Sequence, residues 1–81
     1  MWNEALYHAA RGGHVLLIEW LVARGANNWK AAFAGAARGG QIAVMDLMMT
    51  RGANDWNGAL LRIAESGHTV AVEWLEAKIA E

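Results

Sequence analysis

There is no cysteine among these 81 residues. That excludes disulfides and thiolate metal sites together, and it suits a reducing compartment, so the cytoplasm is the expected location. Net charge is nearly absent as well: seven basic against eight acidic side chains leave −1. Such a balance offers no field for phosphate backbones or anionic lipids, so neither nucleic acid nor membrane is an expected partner. Long apolar runs are also missing. The longest, Val15-Leu16-Leu17-Ile18 resuming as Trp20-Leu21-Val22-Ala23, is interrupted by Glu19 and falls short of the roughly 20 residues a spanning helix needs. Ahead of Ala26 it could be mistaken for a signal-peptide core, but the segment recurs downstream as an ordinary repeat element. What the chain does have is apolar mass. With 56% hydrophobic and 19% charged residues it lies far from disordered compositions and is expected to fold. One domain of this size, without disulfides, must draw extra cohesion from elsewhere.

That source is internal repetition. Trp2, Trp29 and Trp56 are spaced by 27 residues, and the chain is three times that length. Units 2–28 and 29–55 agree at 11 of 27 positions, and units 2–28 and 56–81 at 12 of 26. Ala5/Ala32/Ala59, Ala10/Ala37/Ala64 and Gly13/Gly40/Gly67 are invariant, and Glu19/Asp46/Glu73 keep one charge. Residues 1–81 therefore read as a single repeat domain of three units.

Within the first unit, Trp2, Ala5, Leu6, Ala9 and Ala10 follow the spacing of one helix face, which predicts a helix A over about 2–11. Gly12-Gly13 breaks it. Helix B then runs from His14 to Ala23, with Leu17, Ile18, Leu21 and Val22 expected inward, and Arg24-Gly25 ends it. Asn27-Asn28 and Asn54-Asp55 stand where the next helix needs a side-chain oxygen for its orphan amides. A helix pair of this kind cannot bury its apolar face alone, whereas three stacked pairs share a continuous core. Ala9-Ala10, Ala36-Ala37 and Ala64 should allow close helix approach, and Trp2/Trp29/Trp56 with Trp20/Leu47/Trp74 are expected to form core ladders beside them.

The runs Ala5-Leu6-Tyr7-His8-Ala9-Ala10-Arg11-Gly12-Gly13-His14 and Ile18-Glu19-Trp20-Leu21-Val22-Ala23-Arg24-Gly25-Ala26 resemble ankyrin repeats. They match the family's helix-A leucine and paired alanines, its Gly-His turn, its helix-B aliphatic run and its terminal Gly-Ala. Weaker copies occupy 39–53 and 67–75. Two departures stand out: the family's Thr-Pro at the start of helix A is missing, and the period is 27 where the family usually has 33. The missing residues fall between helix B and the next helix A, where ankyrins project a β-hairpin finger. The resemblance thus implies an all-α solenoid of three stacked helix-turn-helix repeats without fingers, and a hairpin contact site cannot be carried over.

Catalytic chemistry finds no support. His8, His14 and His68 lack paired-ligand spacing, so no metal is expected. The resemblance implies instead that His14 and His68, with Gln41 in the middle unit, hydrogen-bond neighbouring turn backbone. Glu19, Asp46 and Glu73 form a row on outer helices, but no cleft signal accompanies it. Ser66, Thr50 and Thr69 have no base partner. Arg11-Gly12-Gly13 and Arg38-Gly39-Gly40 are helix stops rather than an RNA-binding tract, and Arg24 and Arg51 favour the negative ends of their helices. No cofactor and no enzymatic activity are expected.

What remains is surface. The helix-A side away from the core carries Asn3, Glu4, Tyr7, His8 and Arg11, then Lys30, Ala34 and Arg38, then Asn57, Leu61, Arg62 and Glu65; this variable row is the candidate face for a protein partner. Tyr7 and His8 have a competing role as partly buried supports of the turn. The last unit gains Glu65, Glu73 and Glu76 and a longer helix, like a terminal cap. The first unit has no such seal, so Leu16, Leu17 and Val22, with Met1 and Trp2, are expected to leave an apolar surface, and Leu16/Ala43/Val70 add an apolar row to helix B. The chain is accordingly expected to be a non-catalytic protein–protein interaction scaffold that self-associates through its first repeat, most simply as a two-fold dimer. The alternative is a monomeric adaptor, or part of a longer array, that binds a protein through the helix-A row.

Overall fold

Each glycine after a helix closes it in the same way. The Gly13 N–H donates to the Ala10 carbonyl (3.1 Å) and the His14 N–H to that of Ala9 (2.9 Å), with Gly13 at φ +72°. This left-handed residue lets the chain reverse while satisfying terminal carbonyls. The same pair of bonds recurs at Gly40-Gln41 and Gly67-His68, and again after the second helices at Gly25-Ala26 and Gly52-Ala53. In a computed structural model, which describes residues 2–81, the result is six helices. They are α1 (Trp2–Gly12), α2 (Val15–Ala23), α3 (Trp29–Gly39), α4 (Ile42–Thr50), α5 (Trp56–Glu65) and α6 (Thr69–Ile79). No strand occurs among the described residues. Met1, placed with the N-terminal apolar surface above, lies outside them.

The expected fingerless α-solenoid is therefore the observed fold. Its extents of 33 × 23 × 18 Å match three helix layers about 8–10 Å apart along the long direction. The start of helix B shifts slightly: His14 is the residue before α2 and makes no side-chain capping bond. The starts of α3 and α5 are capped as anticipated. Asn28 Oδ1 accepts from the Ala31 N–H (3.2 Å) and Asp55 Oδ1 from the Gly58 N–H (3.3 Å).

The core is built from alanines with Leu6, Phe33, Ile18, Met45, Met48, Val44, Ile63 and Leu75. The expected tryptophan ladders are not part of it. Trp2 and Trp56 are both 39% exposed and Trp20 is more so, while Trp29 and Trp74 are half-buried. The reason lies in the spacing of the A helices. A side-chain carbon on Gly35 would come within 2.7 Å of the Tyr7 carbonyl, and one on Gly39 would enter the Arg11 carbonyl. Helix α3 thus lies backbone-close on α1, and no gap wide enough for an indole opens between them. The tryptophans sit on the flank instead, where Trp2 meets Trp20 edge-on at 5.7 Å and Arg24 stacks over Trp20 at 3.9 Å. Arg51 lies over Trp29 at 5.3 Å, so the arginines after the B helices act through aromatic faces as well as helix ends. Leu17 also departs from expectation. It is exposed, whereas Ile18 and Leu21 are buried and Val22 is half-buried.

Side chains tie each turn to the unit before it. Gln41 Nε2 donates to the Arg11 carbonyl (3.3 Å) and His68 Nε2 to the Arg38 carbonyl (3.0 Å). His14, at the same position with no unit before it among the described residues, has no such bond. A second tie joins α1 to the loop that leads into α3: Asn3 Oδ1 accepts from the Asn27 N–H (2.7 Å) and the Asn28 N–H (2.9 Å). The corresponding residue in unit two is Lys30, which has no acceptor to offer Asn54 and Asp55.

Two outcomes test this stacking. Gly39→Ala should destabilise the chain by about 1–3 kcal/mol, because overpacking against a carbonyl outweighs the ~1 kcal/mol that alanine gains in a helix. Gly12→Ala, one period earlier, should be neutral or stabilising, because its side chain meets only the movable His14 ring. Urea denaturation of both variants decides; equal effects would mean that the α1–α3 contact is not as close as described. Lys30→Asn should add about 0.5–1.5 kcal/mol by supplying the missing acceptor, and an unchanged urea midpoint would show that the Asn3 tie does not transfer.

Candidate interaction surfaces

Position-by-position comparison of the units separates residues that are exposed everywhere from those exposed only where a neighbour is missing. Leu16 is 82% exposed, but Ala43 and Val70 are exposed too, so this row is simply the outer side of the B helices. Leu17 differs. It is 46% exposed, while its counterparts Val44 and Ala71 are 1% and 2% exposed, because those two are covered by the unit before. Ala5 follows suit: it is half-buried where Ala32 and Ala59 are buried. With His14, Val15 and Leu16, Leu17 lines an apolar hollow of about 460 Å³. Of the residues expected to self-associate, Leu16 and Leu17 belong to this end. Trp2 is turned to the flank against Trp20, and Val22 is half-buried as is its counterpart Met49. Val15 and His14 were not anticipated there; aligning the units by burial rather than by identity reveals them.

The other end is open too, contrary to the expected polar cap. Ala64 is exposed, although Ala10 and Ala37 at its position are fully buried, and Leu61 is 60% exposed. Ala64, Gly67, His68, Thr69 and Val72 line a hollow of about 230 Å³ there. Glu65, Glu73 and Glu76 are exposed but do not cover Leu61 and Ala64. The physical reason is direction: Glu65 lines the polar hollow with Arg11, Arg38 and Arg62 instead, and Glu73 and Glu76 belong to α6, not to α5, which carries Leu61 and Ala64.

The helix-A row divides. Asn3 is committed to the fold through its bonds to the loop before α3. Tyr7 is half-buried against Gly35 and meets His8 edge-on at 5.3 Å, while His8 itself is exposed. Glu4, Lys30 and Asn57 are exposed and Ala34 half-buried, without forming a common feature. Arg11, Arg38 and Arg62, in contrast, come together from α1, α3 and α5. With Glu65 and Ser66 they line a polar hollow of about 200 Å³. Arg11 and Arg38 are exposed and Arg62 is half-buried, with a guanidinium nitrogen in the space that a side chain on Gly58 would take.

One member of the carboxylate row, Asp46, makes a surface ion pair. Asp46 pairs with Lys78 across α4 and α6 (3.6 Å), and Lys78 also reaches Glu81 (3.8 Å). Among the described residues, no three His, Asp or Glu side chains are grouped as metal ligands require, and no helix is long and apolar enough to cross a membrane.

Comparison with known proteins agrees with the geometry. Residues 3–32, which hold α1 without its first residue, α2, the connecting loop and the start of α3, match the family model of the ankyrin repeat. No curated protein and no solved structure matches the chain. Ankyrin repeats generally mediate protein–protein interaction and are generally non-catalytic modules. Residues 3–32 are thus an ankyrin repeat, and the two helix pairs that follow repeat its turns with a shortened period and no hairpin fingers.

Proposed function

We propose that the chain is a protein-interaction module of the cytoplasm that binds further copies of itself end to end, the first repeat of one copy seating on the last repeat of the next. The observation that carries this reading is Leu17, 46% exposed at a position buried in both other units. An exposed surface whose internal counterparts are packed is already shaped for a repeat. The opposite end supplies one, since Leu61 and Ala64 are exposed, and Val72 only half-buried, at the positions where units one and two receive their successors.

Polar detail supports the same register. Gln41 and His68 reach the carbonyls of Arg11 and Arg38, and His14 of a following copy would meet the carbonyl of Glu65 in the same way. The Glu65 carboxylate would then stand beside Arg11 of that copy, an attractive pair. A two-fold dimer of first repeats would cover Leu17 but leave Leu61 and Ala64 in water, which is why the end-to-end arrangement is preferred. Being heterologous and not closed, it extends by addition.

Light scattering over a wide dilution series tests it. The expected result is a mass that rises with concentration past twice 8.8 kDa. Leu17→Glu and Leu61→Glu should each lower the assembly to monomer, and an equal mixture of the two should recover a dimer, because each retains one intact end. A constant 8.8 kDa at all concentrations would sink self-association. A dimer unaffected by Leu61→Glu would establish the two-fold arrangement instead.

A further inference from the structure

We propose that the hollow formed by Arg11, Arg38 and Arg62 is a carboxylate-binding site for an acidic segment of a protein partner other than the chain itself. The five arginines divide by use. Arg24 and Arg51 lie over Trp20 and Trp29. Arg11, Arg38 and Arg62 come from three different helices to one polar hollow, and among the described residues none of them makes an ion pair. Cations in last turns favour helix ends, but that effect acts on each helix separately and does not require the three side chains to converge. Convergence has an electrostatic cost, since neighbouring like charges repel. Glu65 offsets one of the three, and the Asp55 carboxylate shares with the Arg62 guanidinium the space beside Gly58, so the surplus of positive charge rests on Arg11 and Arg38.

An anion between the guanidiniums would remove that repulsion. Their planar forks match a carboxylate through paired N–H donors, and the Ser66 hydroxyl adds a further polar contact at the rim. A nucleic acid fits poorly: the hollow is one cluster of about 200 Å³ on a chain of net charge −1, with no basic track to follow a phosphate backbone. A polypeptide presenting one or two Asp or Glu side chains matches the size and the charge. Arg62, held over Gly58 beside Asp55, forms a wall of the hollow, and the more exposed Arg11 and Arg38 close on the ligand.

The test is fluorescence anisotropy of a short labelled oligo-glutamate peptide, with oligo-glutamine as the neutral control. The expected result is binding of the glutamate peptide alone, weaker as salt screens the site. Arg38→Gln should weaken it roughly tenfold, as loss of one charge-assisted contact implies, and Arg11→Gln/Arg38→Gln should weaken it further. Arg51→Gln should leave it unchanged, and far-UV circular dichroism confirms that each variant keeps its helices. Failure of the unaltered chain to bind at low ionic strength would overturn the proposal, as would an equal loss in Arg51→Gln. Binding of inorganic phosphate without binding of the glutamate peptide would overturn the assignment to an acidic polypeptide.

Discussion

The structure depends on how closely one helix A can lie on the next. Gly35 and Gly39 remove side chains from α3 where it faces the Tyr7 and Arg11 carbonyls, so backbone meets backbone. Alanines at Ala9, Ala10, Ala36 and Ala37 extend the same approach along the helices. Dispersion between close-packed atoms is short-ranged, and a tight layer spacing recovers it over the whole length of the contact. At the next junction the corresponding positions are Arg62 and Ser66, and α5 lies along α3 over a smaller contact than α3 makes with α1. One substitution class, glycine against a larger residue, thus distinguishes the two interfaces of a nominally regular array.

That constraint explains what could and could not be read in advance. The period of 27, the glycine turns and the Asn28 and Asp55 caps are local features, fixed by backbone conformation and by hydrogen bonds within a few residues, and they stand where the sequence places them. The tryptophans do not, because periodicity states which side of a helix is apolar but not how wide the neighbouring gap will be. Trp2 lies on the apolar side of α1, yet the space beside it is set by Gly35 and Gly39, more than thirty residues away. Leu17 is a second case. It has a helix-B spacing that reads as inward, and in units two and three that position is inward. Only the presence of a preceding unit separates core from surface there. Asn3 is a third, since an exposed polar residue near a helix start looks like a contact residue until the amides of Asn27 and Asn28 are found on its side-chain oxygen.

The arginine cluster was legible as separate residues but not as a site. Arg11 and Arg38 keep the repeat period, whereas Arg62 stands one turn before the position that the period assigns and Glu65 occupies that position instead. A turn of helix is a rise of about 5.4 Å, well within the reach of an arginine side chain, so the irregular spacing still delivers a common hollow. Strict periodicity is therefore the wrong filter for surface chemistry in a repeat array. The backbone repeats, and long side chains recombine across it.

The two surfaces point in different directions, and this bears on how they would work together. The open ends face along the stack axis, while the arginine hollow lies on the flank made by α1, α3 and α5. Growth along the axis would leave the hollow uncovered and repeat it once per copy, every three layers, a spacing of about 30 Å at 10 Å per layer. A partner with several acidic segments would then engage successive copies. Each contact after the first would form at the high effective concentration set by the segment between them. Weak individual sites would suffice for firm attachment, and assembly itself would control affinity. In that arrangement the exposed apolar end and the modest charge cluster, each unremarkable for an 81-residue chain, form one device whose strength depends on how many copies are stacked.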